Sequence, residues 1–149
     1  MGHVSFLAEK SFRKIFTNLA KEVNQKVEDI MIGICYESGN HKYIAYVKDG
    51  GSFKPVLDAE GKVRSIDLDD YSGMLMDLSG GTAAIDSTIA QSGPRFAREL
   101  SEKLQKEIKV DDVSILMKYK ENDLPFAVLM TNGNEKQRNI NIEAEFLQG

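Results

Sequence analysis

The feature that most limits the fold of this chain is an internal repeat. Residues 27–50 (VEDIMIGICYESGNHKYIAYVKDG) align without a gap with residues 110–133 (VDDVSILMKYKENDLPFAVLMTNG), at a constant offset of 83 residues. After a loop of different length, residues 62–69 also resemble residues 136–143. Self-similar segments of this length are typical of a duplicated supersecondary unit, so we expect a fold built from two similar halves.

An amphipathic helix pattern precedes each half of the repeat, with apolar residues three and four positions apart. The first pattern begins at Ala8 and the second at Phe96. Ser5 is the expected N-cap of the first helix, and residues 92–94 (SGP) are the expected start of the second, because Ser caps helices and Pro fits the first turn. Each unit is therefore predicted to be a helix followed by three antiparallel strands.

These patterns predict an α+β protein made of tandem duplicated α-β-β-β units, with an antiparallel sheet and two helices packed on one of its faces. The first unit covers about residues 5–70, an intervening segment covers residues 71–93, and the second unit covers about residues 94–149. A chain of 149 residues is the size of one ordinary domain, so we predict a single domain over residues 1–149.

Alternation in the first strand of each unit predicts which side chains face the helices. These residues are Ile30, Ile32, Ile34 and Tyr36 in the first unit and Val113, Ile115, Met117 and Tyr119 in the second. The middle strands, residues 43–47 (YIAYV) and 126–130 (FAVLM), are apolar throughout, which is typical of strands covered on both sides. The second face must then be covered by another subunit or, as we favour, by the intervening segment, which carries the apolar cluster Met74, Leu75 and Met76.

The only cysteine, Cys35, alternates with the inward row and therefore shares the opposite face with Met31. A nucleophilic cysteine needs a base within hydrogen-bond reach, and the two histidines of the chain are His3, which is almost terminal, and His41, which lies beyond the first strand. We therefore interpret Cys35 as a small side chain packed on a sheet face, and we expect a protein surface to lie over it.

Charge and composition argue against several functional classes. With 19 basic and 23 acidic residues the net charge is −4, which argues against nucleic acid and anionic membranes as partners. One cysteine excludes an internal disulfide and is too few for a structural zinc site. No signal-peptide core and no apolar run approaching the about 20 residues that span a bilayer is present. We expect a cytoplasmic protein without a cofactor or a metal.

Two observations keep a metal-dependent alternative open. Asp67 and Asp69 have the spacing of two oxygen ligands on one strand face, although a solvated face is the preferred interpretation. The duplicated order also resembles the paired modules of vicinal oxygen chelate enzymes, which implies that residues 3–6 form a strand bearing His3 as a ligand, with Glu145 as another.

Separately, the element order, size and acidity resemble those of type III secretion chaperones, which act as dimers but end in a helix where this chain is predicted to end in a strand.

The sequence supports two functional hypotheses from different classes. The first is a non-catalytic cytosolic binding or regulatory module that acts by protein–protein association, as a homodimer, with no catalytic residue. Its candidate binding residues are Met31, Cys35, Tyr43, Tyr46, Met74, Leu75 and Met76. The alternative is a small-molecule-binding protein or metal-dependent enzyme with a pocket between the two halves, walled by tyrosines.

Overall fold

The computed structural model describes residues 3–72, 81–119, 126–131 and 136–140. Helices in these ranges are α1 (His3–Glu22), the single turn α2 (Asp69–Ser72) and α3 (Gly81–Leu104). Strands are β1 (Ile30–Glu37), β2 (Asn40–Asp49), β3 (Ser52–Pro55), β4 (Ser65–Ile66), β5 (Val113–Lys118), β6 (Phe126–Thr131) and β7 (Lys136–Ile140). None of the described helices is both long enough and apolar enough to cross a bilayer.

The seven strands form one antiparallel sheet in the order β3-β2-β1-β5-β6-β7, and β4 pairs with β2 beside β3. With two long helices, the fold is α+β, as predicted. The central strands β1 and β5 bring the first strands of the two predicted units side by side, and Gly33 lies opposite Leu116, its own counterpart in the aligned repeat. A two-fold axis between similar units would produce this register, and the duplication itself stays a prediction.

One face of the sheet, here called the inner face, packs against α1 and α3. All eight residues that alternation assigned to the helix side are buried in the core, which confirms that prediction. The helices contribute Phe12, Ile15, Phe16 and Leu19 from α1 and Ile85, Ile89, Phe96 and Leu100 from α3. Burying each such side chain contributes about 1.5–3 kcal/mol, so this layer is the main source of stability.

The second long helix begins earlier than predicted. It starts at Gly81 rather than at residues 92–94, and it continues through Pro94. Pro94 has no N–H to donate to the carbonyl four residues back, a defect that often ends a helix. One residue further back, the carbonyl of Ile89 accepts a 2.7 Å hydrogen bond from the Tyr36 hydroxyl, and the Ile89 side chain is fully buried. Contacts with the sheet therefore hold this stretch helical despite its local start signal.

The first helix also differs from the prediction at its start. It begins at His3, so Ser5 lies inside the helix rather than at its N-cap. Residues 3–6 are therefore helical, and the strand that a vicinal oxygen chelate arrangement requires at His3 does not form.

The third strand of the first unit is shorter than the predicted residues 62–69. Only Ser65–Ile66 pair with β2, and Asp69 begins α2, so Asp67 and Asp69 do not share a strand face. The segment expected to be a long loop, residues 51–61, instead contributes β3 to the edge of the sheet.

The described part of the intervening segment lies on the inner face of the sheet. In its described part, Tyr71, Ile85 and Ile89 are buried in the same core as α1, so this part packs on the inner face. The cluster Met74, Leu75 and Met76, on which the expected covering of the opposite face rests, lies outside the described residues.

Candidate functional site

Three of the seven candidate binding residues, Met31, Cys35 and Tyr46, share the face of the sheet opposite the helices, here called the outer face. Among its residues are Met31, Gly33, Cys35 and Glu37 of β1, Lys42, Ile44, Tyr46 and Lys48 of β2, Phe53 and Pro55 of β3, Ser114, Leu116 and Lys118 of β5, and Phe126, Val128 and Met130 of β6. In the described part of the chain neither long helix packs on this face.

At the centre of the outer face, the aromatic ring of Tyr46 lies on the backbone of β1. A Cβ atom on Gly33 would come within 2.7 Å of Tyr46 Cε2 and within 3.3 Å of Leu116 Cδ2. Only glycine leaves room for the Tyr46 ring at this position, since side-chain carbons in contact lie about 3.5–4.0 Å apart. Gly33 thus allows Tyr46 and Leu116 to meet over β1 as one apolar surface.

Lys118 reaches across the outer face toward the edge strand β3. Its Nζ lies 4.7 Å from the centre of the Phe53 ring, a cation–π contact. Strands β1 and β2 separate these two residues, which places their backbones about 14 Å apart in a flat sheet. Contact across that span requires an extended lysine side chain, and Met31 on β1 is the cross-strand neighbour of Lys118.

Cys35 is a partly buried free thiol on the outer face. Burial raises the pKa of the thiol, and the ammonium of neighbouring Lys42 only partly offsets that effect. His41 is the cross-strand neighbour of Tyr36 and therefore belongs to the inner face. Cys35 and His41 thus lie on opposite faces of the sheet, so the His41 imidazole does not activate this thiol.

Tyr43 lies on the inner face and does not join the other candidate binding residues. Its ring is buried, its hydroxyl donates a 2.5 Å hydrogen bond to Asp86 Oδ1 of α3, and the same oxygen lies 3.4 Å from His41 Nε2. Burial and this hydrogen bond hold the pKa of Tyr43 far above its usual value. This cluster holds α3 against β2, and the Tyr43 hydroxyl stays protonated.

A second polar cluster that the sequence did not reveal ties α1 to the β4–α2 segment. The Tyr71 hydroxyl donates to a Glu22 carboxylate oxygen, and Arg64 donates 2.9 Å and 2.8 Å hydrogen bonds to Glu22 and to the Tyr71 oxygen. The hydrogen bond from Tyr71 lowers the pKa of Glu22, while burial and Glu22 raise the pKa of Tyr71 to about 12. Because the three side chains pair their hydrogen-bonding groups with one another, we interpret the cluster as a structural contact that holds α1 against the β4–α2 segment.

The alternative hypothesis requires a pocket between the two predicted units. An open depression of about 760 Å³ lies at the end of α1, where Lys21, Asn24 and Glu28 meet Tyr119 of the second unit. Within the described ranges, no group of three or more His, Cys, Asp or Glu side chains is placed to hold a metal ion. The depression is an open surface groove lined by both polar and apolar side chains, and its lining brings no cluster of acid, base and nucleophile together.

Comparison with known proteins found no matching protein-family model, no similar curated protein and no similar solved structure. Functional inference for this chain therefore depends on its own residues.

Proposed function

We propose that this chain is a non-catalytic cytosolic binding or regulatory module that acts by protein–protein association through the outer face of its sheet. The observation that carries the proposal is the apolar surface that runs across five adjacent strands of that face, from β3 to β6. Its partly exposed members are Tyr46, Phe53, Leu116, Val128 and Phe126.

The composition of this surface supports association rather than plain solvent exposure. Contiguous exposed apolar patches on monomeric proteins mark interaction sites, and aromatic and methionine side chains are enriched at the centres of interfaces. Phe126 keeps 43% of its surface exposed, although its neighbours in β6 are largely buried. A partner surface seated on the outer face would bury Phe126 and Leu116 together.

The placement of Cys35 and His41 supports a non-catalytic role. Cys35 and His41 lie on opposite faces of the sheet, and burial keeps the Cys35 pKa high. The Tyr43 hydroxyl donates to Asp86 and serves to hold α3 against β2.

The proposal includes the homodimer expected from the sequence. Lys48 and Lys118 lie on each outer face without an ion pair among the described residues, and Glu37, the only acidic residue among the described members of that face, pairs with Lys42. Pairing two such faces would bring like charges together at short range, which opposes association. We therefore expect the homodimer to use another surface and to leave the outer face accessible.

The test compares three forms of the protein purified from its native host and measured by intact-complex mass spectrometry. The wild type is compared with Leu116→Arg, which places a charge at the centre of the outer face, and with Gln91→Arg, which adds the same charge on an exposed position of α3. Thermal melts followed by circular dichroism establish that each variant is folded.

We expect a second protein to accompany the wild type and Gln91→Arg but not Leu116→Arg. The native thiol of Cys35 should also react more slowly in that complex than in the free chain, because the partner covers it. A wild type that carries no protein partner, or a Leu116→Arg variant that keeps its partner, would overturn the proposal. A monomeric mass for every form at tens of micromolar would remove the homodimer.

A further inference from the structure

We infer that the partner of the outer face is an amphipathic peptide segment whose apolar side chains alternate with aspartate or glutamate. This inference rests on the proposed association through the outer face and specifies the chemistry of its partner. Its basis is the arrangement of charge on that face.

The lysines at the two ends of the outer face differ in their partners. At one end, Lys42 Nζ lies 3.0 Å from Glu37 Oε2, which neutralises that lysine. At the other end, Lys118 Nζ lies on the Phe53 ring, and Lys48 is the cross-strand neighbour of Phe53. Among the described residues neither Lys48 nor Lys118 has an ion pair, so these two lysines lie next to Phe53 without a counter-charge from those residues.

This end of the face is therefore positive on a chain whose net charge is −4. An aromatic ring with two neighbouring lysines suits a ligand with an apolar group for the ring and a carboxylate for each lysine. When a carboxylate approaches, Lys118 can leave the Phe53 ring and uncover apolar surface beneath its stem. The lysines then contribute specificity and association rate, while burial of Leu116 and Tyr46 contributes affinity.

Charge also distinguishes this partner from the other molecules that could bind the outer face. A second copy would present the same lysines and repel them. A nucleic acid or an anionic membrane needs a larger basic surface than two unpaired lysines on an acidic protein provide. An acidic amphipathic segment is the one occupant that matches both the apolar centre and the positive end.

The experiment selects binders from a displayed library of random peptides about 12 residues long, a length that spans the sheet in an extended or helical form. Three forms of the full chain serve as bait: the wild type, the charge-reversed variant Lys48→Glu/Lys118→Glu, and the control Lys14→Glu/Lys54→Glu. Lys14 and Lys54 are exposed on α1 and on the opposite side of β3, so the control changes the net charge equally without touching the outer face.

We expect the wild type and the control to enrich peptides in which Asp and Glu alternate with apolar residues. The charge-reversed variant should bind those peptides about 10-fold more weakly and enrich Lys and Arg instead. Raising the ionic strength from about 0.05 M to about 0.5 M should weaken wild-type binding. Labelling Cys35, the only cysteine, with a trifluoromethyl probe should place the selected peptide on the outer face through a shift of the fluorine resonance.

Peptides without an acidic bias, the same peptides from all three baits, or no fluorine shift at saturation would overturn the inference. So would a wild type that self-associates through the outer face more strongly as salt rises. These outcomes leave the proposed association standing if the native complex still depends on Leu116, and loss of that dependence overturns the proposed function instead.

Discussion

Gly93, in the middle of α3, is the position at which one added methyl group should cost most. A Cβ atom there would lie 2.6 Å from Cε1, 2.8 Å from Cδ1 and 3.0 Å from Cζ of the Tyr36 ring. Carbon atoms in contact lie about 3.5–4.0 Å apart, so Gly93→Ala forces the ring or the helix to move by about 1 Å. The ring is 5% exposed and its hydroxyl is held by the Ile89 carbonyl, so it cannot turn away.

Two opposing effects set the size of the change. Overpacking a closely packed core costs about 1–3 kcal/mol, and a fixed ring places this site in the upper part of that range. Replacing glycine by alanine inside a helix returns about 0.5–1 kcal/mol. We therefore expect Gly93→Ala to lower the free energy of unfolding by about 1–2 kcal/mol, or the melting temperature by about 3–6 °C.

A double-mutant cycle isolates the clash. In the Tyr36→Leu background the ring is absent, so Gly93→Ala should raise the free energy of unfolding by about 0.5–1 kcal/mol through helix propensity alone. The assay is urea unfolding of the four proteins followed by circular dichroism. A stabilising Gly93→Ala in the wild type, or an equal effect in both backgrounds, would refute the reasoning.

Two further predictions concern polar contacts. The Tyr71 hydrogen bond lowers the pKa of Glu22 in the folded protein. The ionised Glu22 carboxylate therefore contributes stability above the unfolded pKa of 4.5, and this contribution is lost as the pH falls through the folded pKa. Glu22→Gln should accordingly reduce the loss of stability that the wild type shows below pH 4.5. Glu22 is 41% exposed, so the effect is about 1 kcal/mol or less, and an unchanged acid limb in urea unfolding contradicts it. Ser101→Ala should cost about 1–2 kcal/mol, because the Ser101 oxygen accepts the Ile108 N–H at 2.9 Å. Ser92→Ala is the matched control, since its hydroxyl donates only to its own helix, and equal losses would argue against a specific role for Ser101.

The inner face was predictable because alternation in β1 and β5 leaves one choice of buried side. Ile30 to Tyr36 and Val113 to Tyr119 place large apolar side chains at every second position, and a shift by one residue would expose all of them. The two amphipathic helix patterns then required a sheet face to cover. Local periodicity and burial agreed, so the α+β class followed from the sequence.

The start of α3 was not predictable from local signals. Ser92, Gly93 and Pro94 form a sequence that usually begins a helix, yet each is used inside one. Gly93 makes room for the Tyr36 ring, and the Tyr36 hydroxyl binds the helix just before Pro94. These are contacts between residues far apart in the chain, so no window of sequence contains them.

The sheet face on which Tyr43 lies could have been predicted from the sequence. In a two-residue hairpin, cross-strand partners have numbers of opposite parity, as in the observed pair Tyr36 and His41. Odd-numbered residues of β2 therefore share the face of even-numbered residues of β1. Tyr43 and Tyr46, separated by three residues in one strand, cannot lie on the same face.

The differences between the two predicted units give the outer face a direction. Under the repeat offset Cys35 corresponds to Lys118 and Met31 to Ser114, while the antiparallel register pairs Cys35 with Ser114 and Met31 with Lys118. Two identical units would make both ends of this face alike, and a bound segment could then lie in either orientation. Here one end carries a neutral thiol and hydroxyl, and the other carries an ammonium over an aromatic ring. We therefore expect a segment with its carboxylates at one end to have a single favourable orientation, because the two predicted units carry different residues at these positions.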